Sequence, residues 1–477
     1  MSHALRLLIA IGIPLLVWAI PTEALPIAGL TVIGHRALVL FLLAMLLWIL
    51  EPIAVFATSL AVTLLALLLL SDGGIAALVT PPADAAAAAA FGKPLSHREL
   101  MATFADPVIK LLLGGFFLAA AAAKYGLDRN LARVLLRPFG TRPALVLLGL
   151  MLTSAAFSLF MSNTACTAMM LTVLAPVLAA LPAGDRGRIA LVLAVPFAAN
   201  IGGIGTPIGT PPNAVAMRFL TGEHAIGFAS WMLFGIPYVL VLLLIAWGLL
   251  LLLFRPQAPQ IAVNIGGSWD RSWRAWVVYA VFALTIALWV SEAWHGVRAP
   301  IVALLPVAVF LATGVLGPAD LRGLSWDVLW LVAGGFALSL AVERSGLAAA
   351  LVASVPFAEL PLWAVALLAV GSTTLLGTFI SNTATANLLL PVVAGVAAAL
   401  GPALAPLGGY SGLILAVTFA ASLAMILPIS TPPNALAYAT GEVRSAQMAL
   451  AGSLICVIGL ALAFALFALL RAVGFFA

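Results

Sequence analysis

The chain has 477 residues, of which 64% are hydrophobic and only 8% charged, and its mean hydropathy is +1.22. Repeated apolar runs of about 20 residues, long enough to cross a bilayer as helices, exclude a soluble globular protein. The net charge of +5 comes from Lys and Arg scattered through short loops, so no nucleic-acid partner is expected. Because the runs lack the alternation of barrel strands, we expect an all-α polytopic protein of a bacterial-type inner membrane.

The predicted elements begin with the apolar run 7–20, interpreted as an extra transmembrane helix within 1–27; a cleavable signal peptide is the alternative. Uninterrupted apolar runs of similar length recur along the rest of the chain. Together with two interrupted spans, they predict about 11 transmembrane helices. The uninterrupted runs are 30–50, 53–70, 108–123, 231–254, 276–294, 299–316, 327–342 and 449–472.

Two longer apolar blocks, about 143–181 and 361–399, do not fit single helices. Each has a Ser-Asn-Thr triplet near its centre, which is typical of a re-entrant hairpin whose turn lies inside the membrane. The spans at about 187–221 and 411–440 each contain Thr-Pro-Pro-Asn. Paired prolines remove two N–H donors and interrupt a helix, so both spans are predicted to break at the membrane midplane.

The landmarks occur twice in the same order, which indicates an internal repeat. VIKLLLGGFF at 108–117 matches VLWLVAGGFA at 328–337, SNTACTA matches SNTATAN, and IGTPPNAVA matches ISTPPNALA. The predicted repeats are 28–255 and 276–477, joined by a cytoplasmic loop at 256–275. Each repeat holds five spans and one hairpin, an odd number, so the copies are expected to be inverted in the membrane.

Loop charges predict the orientation. With the N-terminus in the cytoplasm, the loops on that side collect more than half of the 21 Lys and Arg residues. The Gly-Gly-Phe pair shared by the repeats, at 114–116 and 334–336, is interpreted as a site of close helix packing rather than of binding.

The polar motifs suit the binding of ions. Ser, Asn and Thr are good N-caps, and the free N–H groups of a helix N-terminus favour an anion. Carbonyls freed by a broken helix are oxygen ligands for a small cation. The windows around all four motifs contain no Asp, Glu, His, Lys or Arg, so a dianion bound there needs two or more Na⁺ ions to balance its charge. A patch for helix packing is the alternative interpretation of a single triplet.

As a set, FADPVIKLLLGGFFLAAAAAKYGLDRNLA at 104–132, both triplets and both Thr-Pro-Pro-Asn segments resemble the divalent anion/sodium symporter family, whose members transport C4-dicarboxylates, citrate or sulfate. The resemblance implies a homodimer with an elevator-type motion, two or more bound Na⁺ ions and no organic cofactor. It implies Na⁺ ligands at Ser158, Ser162, Asn163, Gly209, Gly377, Ser381, Asn382 and Ser430. It implies substrate contacts at Asn163, Thr164, Thr210, Pro211, Asn382, Thr383, Thr431 and Pro432. Gly377 departs from the pattern, since it stands where the first repeat has Ser158.

The expected function is sodium-coupled symport of a divalent anion, most simply succinate, malate or fumarate. A sodium-independent exchanger, or a sulfate or citrate transporter of the same fold, remains open. An arsenite exporter or a sodium/proton antiporter is a further alternative, but an antiporter calls for an intramembrane Asp or Glu. A membrane enzyme would need a catalytic carboxylate, His or metal cluster, and the motifs provide none.

Overall fold

The computed structural model of the chain describes residues 2–182, 184–261, 268–354 and 360–475, and these residues form helices joined by turns, with no strand among them. Residues 262–267 of the predicted loop between the repeats lie outside the described residues. Eight of the helical segments are long and apolar enough to cross a membrane, and seven shorter apolar helices accompany them. The chain is therefore an all-α, multi-pass membrane protein, as predicted.

The described residues of the first half form thirteen α-helices. Several begin at capping side chains: Thr31, Asp106 and Ser162 each accept a hydrogen bond from an N–H of the following helical turn. The bounds are α1 His3–Ala19, α2 Val32–Leu50, α3 Val55–Leu70, α4 Ala76–Val79, α5 Ala85–Phe91, α6 His97–Ala102, α7 Pro107–Lys124, α8 Leu127–Leu136, α9 Pro143–Ser158, α10 Asn163–Ala180, α11 Gly187–Gly203, α12 Pro211–Met217 and α13 Phe228–Leu253.

Within the part of the second half that the structure describes there are twelve α-helices, and Ser272 and Ser381 are caps of the same kind. The predicted span 299–316 is divided at Ala303, whose backbone packs against α7. The bounds are α14 Trp273–Val290, α15 Glu292–His295, α16 Ala299–Val302, α17 Leu304–Ala312, α18 Pro318–Arg322, α19 Trp326–Arg344, α20 Leu347–Ser354, α21 Leu362–Phe379, α22 Asn382–Leu400, α23 Gly409–Leu423, α24 Pro432–Ala439 and α25 Ser445–Ala472.

The order of elements is the same in α7–α13 and in α19–α25. Each run has a Gly-Gly-Phe helix, a shorter helix, a pair of helices joined by a short turn, an interrupted helix and a long final helix. The helix pairs, α9 with α10 and α21 with α22, cover the same residues as the two predicted hairpins. The relative orientation of the two runs in the membrane stays a prediction.

The Gly-Gly-Phe motifs bring helices together. A Cβ on Gly114 would lie 2.3 Å from the carbonyl oxygen of Ala303, and a Cβ on Gly334 would lie 2.4 Å from Cβ of Ser59. Only glycine leaves room for such contacts, because real Cβ atoms do not approach other heavy atoms below about 3 Å. The motif therefore serves packing of α7 on the segment around Ala303 and of α19 on α3, as interpreted from the sequence.

The interrupted helices lie at the centre of the protein. All residues of α11 except Arg188 and Ile189 are buried, and α23 is buried from Ser411 to Leu423. α11 packs on α9, α10, α13 and α24, while α23 packs on α21, α22 and α25. The breaks in these two helices are thus held inside protein, where non-helical backbone can persist at membrane depth.

Candidate functional site

The first interrupted helix stops at Gly203 and resumes at Pro211. The amide nitrogen of Asn213 donates to three carbonyl oxygens in this gap: Gly203 over 3.1 Å, Ile204 over 3.2 Å and Thr206 over 2.8 Å. One side chain thus satisfies three of the carbonyls that the break releases, and it fixes the shape of the segment 204–210.

The second interrupted helix is built in the same way. α23 ends at Leu423 and α24 begins at Pro432, and the amide nitrogen of Asn434 donates to the carbonyls of Met425 over 2.9 Å and Leu427 over 3.1 Å. The final Asn of each Thr-Pro-Pro-Asn segment therefore donates to the carbonyls that the break leaves free. The Pro pair begins the second half-helix, where the N–H that proline lacks would have no partner within the helix.

The first Ser-Asn-Thr triplet forms the turn between α9 and α10. Ser162 caps α10 by accepting a hydrogen bond from the N–H of Ala165 over 3.2 Å. The hydroxyl of Ser158 donates to the side-chain oxygen of Asn163 over 2.6 Å. Asn163 is thus the first residue of a long helix, and its side chain is oriented by the preceding helix.

The second triplet forms the turn between α21 and α22. Ser381 caps α22 through the N–H of Ala384 over 3.2 Å. The side-chain oxygen of Asn382 is buried and has no hydrogen-bond partner among the described residues. This oxygen lacks the hydroxyl donor that Ser158 supplies at the first tip, because the matching residue is Gly377.

A cavity of about 410 Å³ lies between the two tips and the two breaks. It collects the predicted residues of all four motifs except Ser158 and Gly377, which are buried behind the tips and outside the described lining. The lining residues from the motifs are Ser162, Asn163, Thr164, Gly209, Thr210, Pro211, Ser381, Asn382, Thr383, Ser430, Thr431 and Pro432.

The lining also includes polar residues that the motifs did not predict, among them Asn200 and Asp327. Asn200, on α11, contacts both the first tip and the second break. Asp327, in the first turn of α19, is the only ionisable residue among the described lining residues. Both lie outside the short motifs, although an Asn within an apolar span was a signal that could have pointed to the first of them.

The site fits a small hard cation. The groups around the tips and breaks are neutral hydroxyl, amide and carbonyl oxygens, which are the ligands that Na⁺ takes in broken-helix transporters. The oxygen of Asn382 is a buried acceptor without a donor, so a cation there would satisfy a group that is otherwise unpaired. The described residues contain no group of three or more His, Cys, Asp or Glu that would hold a transition metal.

Two capped turns and two interrupted helices that bring polar side chains to one cavity within a bundle of apolar helices define a membrane transporter. The citrate transporter family model matches residues 45–409. The chain therefore belongs to the citrate transporter family. Its family and relatives are transporters, which rules out the alternative of a membrane enzyme.

Similar proteins come from distant organisms. An uncharacterized transporter of Haemophilus influenzae is 31% identical over 461 residues, covering 90% of each chain. The sodium-dependent dicarboxylate transporter SdcS of Staphylococcus saprophyticus is 32% identical, covering 85% of this chain and 80% of that protein. The sodium-dependent high-affinity dicarboxylate transporter 3 of Caenorhabditis elegans is 32% identical, covering 72% of this chain and 71% of that protein.

Proposed function

We propose that the chain is a sodium-coupled symporter of a C4-dicarboxylate such as succinate, malate or fumarate. The observation that carries the proposal is the meeting of two Ser-Asn-Thr tips, one from each half of the chain, at a single cavity. Two relatives with similarity over most of the chain are named sodium-dependent dicarboxylate transporters, which supports the same activity here.

The two tips suit an anion with two separated charges. Asn163 is the first residue of the 18-residue helix α10, and Asn382 is the first residue of the 19-residue helix α22. Each helix N-terminus presents free N–H groups and the positive end of its dipole to the cavity. One carboxylate at Asn163 and Thr164 and the other at Asn382 and Thr383 would each meet one such N-terminus.

The cations would bind behind the substrate. At the first site the ligands would come from Ser158, Ser162, Asn163 and the backbone of Gly209. At the second site they would come from Gly377, Ser381, Asn382 and Ser430. The lining offers a dianion no Lys, Arg or His among its described residues, so at least two Na⁺ ions would have to provide the positive charge.

The cycle follows from the same assignment. We infer that a homodimer carries the cavity across the membrane by an elevator-type movement, with the N-terminus in the cytoplasm; the family resemblance and the distribution of Lys and Arg support this view. The function of the bound Na⁺ is electrostatic: it neutralises the anion, while Thr210, Pro211, Thr431 and Pro432 shape the wall against which the carbon chain lies.

The test is uptake of labelled succinate by proteoliposomes, with an inward Na⁺ gradient compared with an equal choline gradient. We expect uptake only with Na⁺, and its loss in Asn163→Ala and in Asn382→Ala. The matched control is Thr172→Ala, since Thr172 lies on α10 but its hydroxyl donates within the helix, to the carbonyl of Ala168. Unlabelled sulfate and citrate as competitors would identify a different anion.

The main alternative gives an opposite result. A sodium-independent exchanger would take up succinate equally in choline and would speed up when the vesicles are preloaded with succinate. Uptake of that kind would refute the assignment of both cation sites, whereas Na⁺-dependent uptake of sulfate alone would refute only the choice of anion.

A further inference from the structure

We propose that Asn200 is a positioning residue that couples the two halves of the site, so that binding of Na⁺ at the first tip strengthens binding at the second break. The inference rests on the proposed symport function. None of the four motifs includes Asn200, and it lies on α11, well before the Thr-Pro-Pro-Asn segment of its own half.

The side chain of Asn200 forms a bridge between the halves. Its oxygen accepts a hydrogen bond from the amide nitrogen of Asn163 over 3.3 Å. Its own amide nitrogen donates to the hydroxyl of Thr431 over 3.2 Å and to the side-chain oxygen of Asn434 over 3.3 Å. An unbroken line of side-chain hydrogen bonds thus runs from Ser158 through Asn163 and Asn200 into the second break.

Both ends of this line carry binding groups. Asn163 is expected to contact both Na⁺ and substrate, and Thr431 lines the cavity. At the far end, Asn434 holds the carbonyls of Met425 and Leu427, which give the second break its shape. When a cation turns the oxygen of Asn163 towards itself, the amide nitrogen of that side chain is fixed as well, and Asn200 transmits the orientation to the other half.

The burial of Asn200 makes the bridge strong enough to matter. Its exposed fraction is 1%, so the amide has little contact with solvent although it borders the cavity, and a broken bond is poorly compensated. Loss of one such hydrogen bond changes an equilibrium constant about fivefold. A change of this size is enough to remove the dependence of one ion's affinity on the binding of the other.

The residue at the matching position of the second half does not form a bridge of this kind. The segment VPFAAN at 195–200 has its counterpart in VTFAAS at 417–422, which places Ser422 at the position of Asn200 in the second half. The hydroxyl of Ser422 is buried and has no hydrogen-bond partner among the described residues. The chain therefore contains a natural control, a residue at the matching position that does not bridge the halves.

The experiment measures binding, not transport. Labelled succinate is titrated onto the purified full-length protein at a series of Na⁺ concentrations, for the unmodified chain, Asn200→Ser, Asn200→Ala and Ser422→Ala. Asn200→Ser installs the residue of the second half and is too short to bridge. We expect both Asn200 variants to lower the Hill coefficient for Na⁺ from near two towards one and to weaken the effect of Na⁺ on succinate affinity about fivefold. Ser422→Ala should leave both quantities unchanged.

Each outcome decides between specific possibilities. Succinate binding that ignores Na⁺ in the unmodified chain would refute the proposed symport itself. A normal Na⁺ dependence in the unmodified chain that Asn200→Ser leaves with the same Hill coefficient would refute the coupling role alone. If Asn200→Ala does not fold, Asn200→Ser still decides the matter, and a lower melting temperature with an unchanged Hill coefficient would assign Asn200 a purely structural role.

Discussion

The hydroxyl of Ser158 donates to the side-chain oxygen of Asn163 over 2.6 Å, and the second half of the site replaces this bond by a different packing. Gly377 stands in the place of Ser158, and a Cβ on Gly377 would lie 2.7 Å from Cβ of Ala424. Counted back from the Thr-Pro-Pro-Asn segments, the residue that matches Ala424 in the first half is Gly203, where a Cβ would lie 2.7 Å from the oxygen of Asn163. The second half is one residue shorter between Ser422 and Thr431 than the first is between Asn200 and Thr210. Ser158 and Gly203 in the first half thus correspond to Gly377 and Ala424 in the second.

The first prediction concerns the hydroxyl of Ser158. Ser158→Ala removes an expected cation ligand and frees the oxygen of Asn163 to rotate, so we expect apparent Na⁺ affinity to fall about fivefold or more, the value of one hydrogen bond or ligand. Na⁺-dependent thermal stabilisation of the purified protein measures it. Ser154→Ala, one turn earlier on α9, is the control, because the hydroxyl of Ser154 is buried and unpaired within the described chain. Equal effects of both substitutions would contradict a ligand role.

A second prediction uses the exchange of small residues between the halves. Gly377→Ser forces a side chain against Ala424, and overpacking of this kind costs about 1–3 kcal/mol of unfolding free energy. The double variant Gly377→Ser with Ala424→Gly reproduces the first half and should recover the melting temperature. Gly371→Ser, on the same helix, has no atom within 4 Å of its new Cβ and should be neutral. Failure of the double variant to recover stability would mean that the two halves differ in more than this pair.

The third prediction tests the break in α11–α12. Asn213→Ala leaves the carbonyl of Gly203 without a donor, whereas Ile204 keeps the indole N–H of Trp231 and Thr206 keeps the N–H of Gly209. We expect a loss of about 1–3 kcal/mol, measured as a lower melting temperature in detergent. Asn213→Asp keeps the size of the side chain but directs an acceptor at the carbonyls, so it should be at least as severe. A tolerated Asp would show that volume, not hydrogen bonding, maintains the break.

A fourth prediction concerns pH. Nε of Arg188 donates to Glu442 over 2.8 Å, and a second bond from the same guanidinium holds the pKa of Glu442 below its ordinary value of 4.5. The depressed pKa means that the pair stabilises the folded protein above about pH 4.5 and loses this effect as the pH falls through the lower, folded value. Glu442→Gln should cost about 2 kcal/mol at pH 7 and should flatten the decline of melting temperature on acidification.

The control for this prediction is Glu223→Gln. Thr-Gly-Glu at 221–223 matches Thr-Gly-Glu at 440–442, but the side chain of Glu223 is 88% exposed and lies 3.6 Å from His224. Exposed pairs contribute little to stability, so this variant should behave as the unmodified chain. A comparable loss in both variants would contradict a specific role for the bond that ties α11 to the loop after α24.

Sequence alone located the tips and the breaks because local chemistry determines them. Ser162 and Ser381 cap helices through the N–H groups three residues on, and a Pro pair, which cannot lie in the interior of a regular helix without loss of hydrogen bonds, marks the start of a new one. The repeat then indicated that both copies serve one function. These features need no knowledge of what packs against them.

The remaining features depend on contacts between distant segments. Asn200 takes its importance from Asn163 and Asn434, which lie on other helices, and no short motif marks it. Gly377 is visible in the sequence as a departure, but its reason, the Cβ of Ala424, appears only when α21 and α23 are packed together. Asp327 reads as an ordinary acid in the first turn of a helix, and only the fold places it on the cavity wall.

Asp327 also bears on how tightly the solutes are linked. A fixed carboxylate on the wall of the cavity repels a dianion that arrives alone, and it attracts the cations that must accompany the dianion. In a symporter, such a wall opposes uncoupled passage of the anion, because the empty cavity is a poor host for a dianion without Na⁺. The same charge that departs from the otherwise neutral lining would thus favour an order of binding in which Na⁺ enters before the anion.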